Sequence, residues 1–256
     1  MQTVSLTAYA IAAARAMESE RPEGERLFDD PYGKIFAAGA DADAAEGTKR
    51  FLGLPFFLDA IRLRTRFNDD FVREGLAAGI DQVVLMGAGF DARALRLGEI
   101  AARGARVYEV DFPVVLERKR ALLEAAGVKA PSHVAYVACD FMNPGFAASL
   151  RSDLAASGFR LGGGALFVWE GVIAYIDRAA VDRTLAFMAS AGGSRSRLTF
   201  EYAAEAFAPD TAAKLTAAAG FDRFVEVPYD DLWRRWLNGE PHPNASIPRS
   251  VVASIS

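Results

Sequence analysis

The stretch "QVVLMGAGFDARALRL", residues 82–97, decides the fold. An apolar, β-branched run enters a Gly-Ala-Gly turn and leaves into an Ala/Leu/Arg-rich segment, the way a chain passes from a strand into a helix around a ligand. Gly87 and Gly89 permit positive φ and let a ligand lie against the backbone beside Ala88. The helix that follows offers free N–H groups at its start. An ordinary strand-to-helix connection can also use two glycines, so the meaning of the turn depends on its surroundings.

The next strand-like run, "RVYEVDF" at 106–112, ends in Asp111, 22 residues beyond Gly89. That is the spacing at which an acid accepts hydrogen bonds from both hydroxyls of an adenosine ribose. Glu109 lies two residues earlier, further from the C-terminal edge of the strand, so Asp111 is the expected ribose ligand. Two cofactor classes share this arrangement, the nicotinamide dinucleotides and S-adenosyl-L-methionine. The dinucleotide fingerprint wants a third glycine after the second, but Gly89 is followed by Phe90, Asp91 and Ala92. An acid at the helix start would repel a pyrophosphate and suits a cationic sulfonium better.

Outward from this point, strand and helix signals alternate. "HVAYVACDF" (133–141), "ALFVWE" (165–170), "RLTFEY" (197–202) and "DRFVEVPY" (222–229) read as further strands, and Phe112 to Ala126 as a helix closed by Gly127. The alternation predicts an α/β fold with a mostly parallel sheet covered on both faces. Residues 1–80 carry no strand signal and read as a helical cap or lid, with helices expected at Leu6–Met17 and Phe56–Ala78; residues 81–240 form the core. The Pro/Ser-rich segment 241–256 reads as an irregular tail, the last strand being missing, displaced or formed by "RSVVASI".

With 256 residues, 52% of them hydrophobic, the chain can bury the core of one large domain. A net charge of -4 with scattered Lys and Arg gives no basic stripe for nucleic acid, so a small-molecule partner is expected. Cys139 is the sole cysteine, which excludes an intrachain disulfide and fits a buried small hydrophobe. The longest apolar run, "ALFVWEGVIAYI" at 165–176, is too short to span a bilayer and carries Glu170 in its middle. The first twenty residues lack a basic leader, and a cytoplasmic address is expected.

In order along the chain, "VVLMGAGFDARALRL", "YEVDFP…ERKRALL", "ACDF" and "WEGVIAYI" resemble the successive motifs of class I S-adenosyl-L-methionine-dependent methyltransferases of the leucine carboxyl methyltransferase family. "TAYAIAAARAMESERP", "DDPYG" and "RLRTRFNDDF" are similar to its bacterial, mycobacterial-type branch. The resemblance covers about residues 6–205 and implies a Rossmann-like class I methyltransferase fold with an N-terminal helical lid.

Carried over by position, it implies that Arg64 holds the methionine carboxylate of S-adenosyl-L-methionine while Gly87, Ala88 and Gly89 lie against its amino-acid portion. Asp111 would take the ribose hydroxyls, Phe112 the side of the adenine, and Asp140 and Phe141 its exocyclic nitrogen and ring. Glu170 would sit near the amino group and the sulfonium. Plainer readings exist: Arg64 as the solvated side of a helix, Asp140 as the cap of the turn "DFMNPG". Glu170 is the stronger case, because an acid inside an apolar run is costly to bury without a partner. Tyr175 and Tyr202 are candidates for the acceptor pocket. No metal is expected.

Of the two histidines, His133 begins a strand at the edge remote from the ligand, and His242 could act as a base only if the C-terminal segment folds over the pocket. This scarcity favours an acceptor that needs little help with deprotonation, a carboxylate or a phenol. The expected activity is therefore O-methylation of a carboxylate or hydroxyl on a small molecule. The alternatives are an NAD(P)-dependent oxidoreductase and a non-catalytic S-adenosyl-L-methionine-binding scaffold.

Overall fold

In the computed structural model, which describes residues 4–203, 206–208 and 210–256, the chain opens with helices α1 (Leu6–Ser19), α2 (Gly33–Ala38), α3 (Ala42–Leu52) and α4 (Phe57–Ala77). Strand β1 (Gln82–Met86) follows, then the short helices α5 (Arg93–Arg96) and α6 (Gly98–Ala102), β2 (Arg106–Asp111), α7 (Pro113–Ala125), β3 (Val134–Ala138) and α8 (Phe146–Ala156). The second half runs β4 (Leu166–Trp169), α9 (Arg178–Gly192), β5 (Arg197–Ala203), α10 (Ala212–Ala219), β6 (Arg223–Pro228), α11 (Tyr229–Trp236) and β7 (Pro248–Ser254).

The sheet has the order β3-β2-β1-β4-β5-β7-β6. Strands β1 to β5 are parallel to their neighbours, and β7 enters antiparallel between β5 and β6. The chain leaves β1 toward β2 and β3, then returns to place β4 on the other side of β1. This reversal opens a crevice beyond the C-terminal ends of β1 and β4, where ligands bind in open α/β sheets.

Both sheet faces are covered, as the unbroken apolar runs require. All of β1 is buried. Val83, Leu85, Val107, Leu166 and Val168 pack with Phe71, Val72 and Leu76 of α4. The alternate positions Val84, Met86, Tyr108, Phe167 and Trp169 face Leu150 and Leu154 of α8 and Leu185 and Met188 of α9. The period of two along each strand thus separates two apolar layers.

Two expectations are corrected here. Helix α4, grouped by sequence with the cap, is part of the layer that covers the central sheet; its Phe71, Val72 and Leu76 recur at helical spacing and are buried against strands. The tail is not irregular throughout: of the three alternatives for the last strand the structure has the one formed by "RSVVASI", which lies largely within β7 and pairs with both β5 and β6 across Pro248–Ser254. Val251 and Ala253 are buried on one face, a short alternation that the surrounding Pro and Ser hide in the sequence.

Helix α1 sits over the crevice, and α1 and α2 are fastened by the opening stretch itself. Phe90, directly after the glycine turn, stacks on Phe36 of α2 at 4.9 Å and meets the edge of Tyr9 of α1 at 5.0 Å. Helices α1 and α2 approach closely at Gly33, where a Cβ would lie 2.8 Å from the Ala12 carbonyl oxygen. Among the described residues, no helix is long and apolar enough to cross a membrane.

Candidate functional site

A cavity of about 260 Å³ opens beyond the C-terminal ends of β1, β2 and β4, beneath α1. Its floor is the glycine turn. Gly87 and Gly89 have φ of 72° and 46°, and the Gly87 and Ala88 N–H groups both donate to the Val110 carbonyl, at 2.8 and 3.0 Å. A side chain at Gly87 would collide with Val172, because a Cβ there would lie 2.3 Å from Cγ2. The turn is therefore bound to β2 and tightly backed.

Asp111 stands beside it. One carboxylate oxygen accepts from the Gly89 N–H at 2.7 Å and the other from the Phe112 N–H at 2.7 Å. Burial pushes the Asp111 carboxyl up, and these two donors pull it back. Each oxygen keeps a lone pair for a further donor. Glu109 faces elsewhere: it is buried against Lys119, whose Nζ donates to it at 2.6 Å. Asp111 lines the cavity and Glu109 does not.

At the β4 end the structure shows a cluster that sequence reasoning reads only in part. Because Glu170 follows β4, it is carried under α4 and α1. Its Oε1 accepts from Arg15 at 2.8 Å and Arg64 at 2.9 Å; its Oε2 accepts from Arg93 at 2.7 Å and Asn68 at 3.0 Å. Burial opposes the charge, yet Arg93, Arg64 and Arg15 hold the carboxyl well below the ordinary range. Four donors fill its lone pairs. Glu170 lines the cavity, and it is also the anion on which three arginines converge.

Arg93, fully buried, continues the network to Asp69 at 2.8 Å and also pairs with Asp91. Asp91 additionally accepts from the Arg93 N–H at 2.7 Å. The acid at position 91 is therefore neutralised by its own turn, and an inference of cofactor charge from it does not hold. Arg96 clamps Asp69 with two bonds of 2.6 Å each. The Arg residues of "GAGFDARALRL" look like a solvated helix face in sequence, but they are the ionic core under the site.

Arg64 lines the cavity as expected, and so do Gly87, Ala88, Gly89, Phe112, Phe141 and Glu170. Arg15, which the sequence reading missed, also lines it and is 5% exposed. Its signal was present: an arginine within an alanine-rich face whose neighbours Ala10, Ala12 and Ala14 are buried. Asp140 is not in the lining. Its Oδ1 accepts from the Met142 N–H at 2.9 Å, the plainer turn-cap reading, and Met142 takes the place at the cavity wall.

Tyr175 is at the mouth, exposed, with its Oη 2.7 Å from Thr7 Oγ1 of α1. Tyr202 is not brought to the cavity. It lies opposite Arg249 of β7, packs on Phe207 and donates its hydroxyl proton to Glu226 of β6. His133 Nε2 is 3.0 Å from the Ala94 carbonyl, and His242 stacks on Phe56 at 5.6 Å, so neither histidine enters. Cys139 is buried, which pushes its thiol up to about 12. Among the described residues no group of acids, His or Cys could hold a metal ion.

The cavity thus has an arginine-rich end, an exposed backbone turn, an oriented acid and three phenylalanines, Phe90, Phe112 and Phe141. Its mouth is apolar, with Val4, Ile11, Val172 and Ile176 beside Tyr175.

A sequence profile of the leucine carboxyl methyltransferase family matches residues 8–189. A relative from Mycolicibacterium smegmatis is 32% identical over 93% of this chain and 78% of its own. Another, from Frankia alni, is 35% identical over 91% and 81%. Both bear S-adenosyl-L-methionine-dependent methyltransferase in their names. A protein from Thermobifida fusca with methyltransferase in its name shares the fold, with a TM-score of 0.57 at 16% identity over 97% of this chain and 94% of the other. A duf574 family protein from Streptomyces avermitilis does so with a TM-score of 0.55 at 17% identity over 98% and 97%. By the profile match and these relatives, the chain belongs to the leucine carboxyl methyltransferase family.

Proposed function

We propose that the protein is an S-adenosyl-L-methionine-dependent methyltransferase that methylates an oxygen of a small molecule, a carboxylate before a hydroxyl. The observation that carries this reading is the assembly, in one cavity, of the Gly87–Gly89 turn, Asp111 and the Arg15/Arg64 pair at the switch between β1 and β4. These residues suit the donor's parts. Two guanidiniums match a carboxylate, positive-φ backbone suits close approach, and a carboxylate with spare lone pairs suits a vicinal diol. Phe112 and Phe141 offer aromatic surface for the adenine.

S-adenosyl-L-methionine supplies a methyl group already activated by its sulfonium. The protein's part is to align and to dry the site, work that can be worth effective molarities of about 10⁵ M or more. The preference for a carboxylate acceptor rests on the acids of the lining: Asp91, Asp111 and Glu170 are all engaged, and neither His, Lys nor Cys is among the lining residues. An acceptor that arrives ionised needs no base.

Asp111→Ala is expected to weaken binding of S-adenosyl-L-methionine at least about tenfold, the loss of one strong hydrogen bond; an unchanged dissociation constant in calorimetry would reassign the ribose ligand. The acceptor class is tested by incubating enzyme and donor with matched panels of carboxylic acids, phenols and alcohols and reading a one-methylene mass gain. Transfer to acids ahead of alcohols is expected. Transfer to amines alone would refute O-methylation, and bound donor without transfer to any panel member would favour a scaffold.

A further inference from the structure

Glu201 is an acid of the cluster that the proposed chemistry leaves without a task. Trp169 of β4 pairs with Phe200 of β5, so Glu170, just past the end of β4, lies beside Glu201, still within β5. Glu201 Oε1 accepts from the N–H of Gly171, which lines the cavity, and lies 3.3 Å from Arg64 Nη1. Its Oε2 is buried with no hydrogen-bond partner. Arg64 is thus shared between a saturated acid, Glu170, and one held by a single N–H and one longer ionic contact.

We infer that Glu201 is a positioning residue for Arg64: ionised, it draws and neutralises the guanidinium, and protonated, it frees that charge for the carboxylate of the bound methyl donor. This rests on the reading that Arg64 meets that carboxylate.

The surroundings make Glu201 able to change its charge near neutrality. Arg64 faces it from α4, Glu170 from the end of β4, Arg93 from α5 and Tyr229 from α11; Ser250, opposite it on β7, is uncharged. Burial pushes its carboxyl up, Arg64 pulls it down and the negative Glu170 pushes it up again, leaving it at about 7. Arg64 and Arg93, both already engaged by Glu170, do not together offset burial and the neighbouring anion. Donor carboxylate and ionised Glu201 compete for one guanidinium, so binding of the first promotes protonation of the second.

The test is calorimetric titration of the full chain with S-adenosylhomocysteine and with its decarboxylated analogue, which keeps the amine, between pH 6 and 8. For the wild type, the preference for the carboxylate-bearing ligand is expected to fall at least about fivefold as pH rises across this range. In Glu201→Gln, whose amide oxygen can still accept from Gly171, the preference is expected to stay at its high, acid-side value throughout. Pairs of buffers differing in ionisation enthalpy should show more proton uptake at pH 7 for the wild type than for the variant.

A wild-type preference that does not change with pH would overturn the inference, even if the variant failed to fold. So would the same pH slope in both proteins. Absence of any binding to either ligand at every pH is a different result: it would remove the donor reading on which the inference stands.

Discussion

Glu170→Ala is expected to lower the stability of the folded chain by about 3–5 kcal/mol, the usual cost of removing one partner from a buried ionic group. The reason is the convergence at this residue. Arg15, Arg64 and Arg93 would be left facing one another without the shared anion, and Asn68 would lose its acceptor. Ties between elements would be lost, because these arginines come from α1, α4 and α5 while the acid follows β4. Urea unfolding at pH 7 measures the effect. A loss below about 1 kcal/mol would show that the arginines find other partners and that Glu170 does not organise the site.

The pH sense of this contribution follows from the depressed carboxyl. Burial works against ionisation, but the arginines outweigh it and hold Glu170 well below the carboxylate range. Its stabilisation is therefore fully present above the unfolded value near 4.5 and is lost as pH falls through the folded value. The wild type should lose more stability than Glu170→Ala on acidification below about pH 4.5, and the two unfolding curves should approach each other.

Gly87→Val is expected to abolish cofactor binding, with a loss in affinity of at least about a hundredfold. Two effects act together. Gly87 has φ of 72°, where a β-branched residue is strained by about 1–2 kcal/mol or more. Its new side chain would also strike Val172, since a Cβ alone would come within 2.3 Å of Cγ2. Val172 is itself β-branched and stiff, and it lines the cavity, so relief must come by moving the wall or the turn. Equilibrium titration with S-adenosylhomocysteine checks this, with circular dichroism as the control for folding. A folded variant with wild-type affinity would mean that the ligand does not lie on this turn.

Much of the fold was legible because the signals were local. The strands at 83–86, 106–110 and 197–202 announce themselves by β-branched and aromatic runs, and the pairing of a glycine turn with Asp111 depends only on spacing. Two features were ambiguous because their meaning is tertiary. The segment Pro248–Ser254 becomes a strand only because β5 and β6 leave a slot between them. Helix α4 reads as amphipathic in isolation, and nothing in its own sequence says that the sheet, not a lid, is its partner.

The site divides in the same way. Gly87, Gly89, Asp111 and Phe112 are fixed by one strand-turn-strand unit and line one cavity. Arg15, Asn68, Arg93 and Glu201 come from four separate elements, and charged residues scattered along a sequence are ordinarily solvated. Only the fold shows that they surround Glu170. Asp91 was misassigned for a local reason, since Arg93 two residues on folds back onto it, and Tyr202 for a tertiary one, since its partners Glu226 and Phe207 lie on other segments.

That the cavity between β1 and β4 binds S-adenosyl-L-methionine is tested most directly by calorimetric titration with the donor and with S-adenosylhomocysteine, run beside Asp111→Ala. Saturable one-site binding of both by the wild type, weakened at least about tenfold by the substitution, is the expected result. Binding of neither ligand at high micromolar concentration would contradict it.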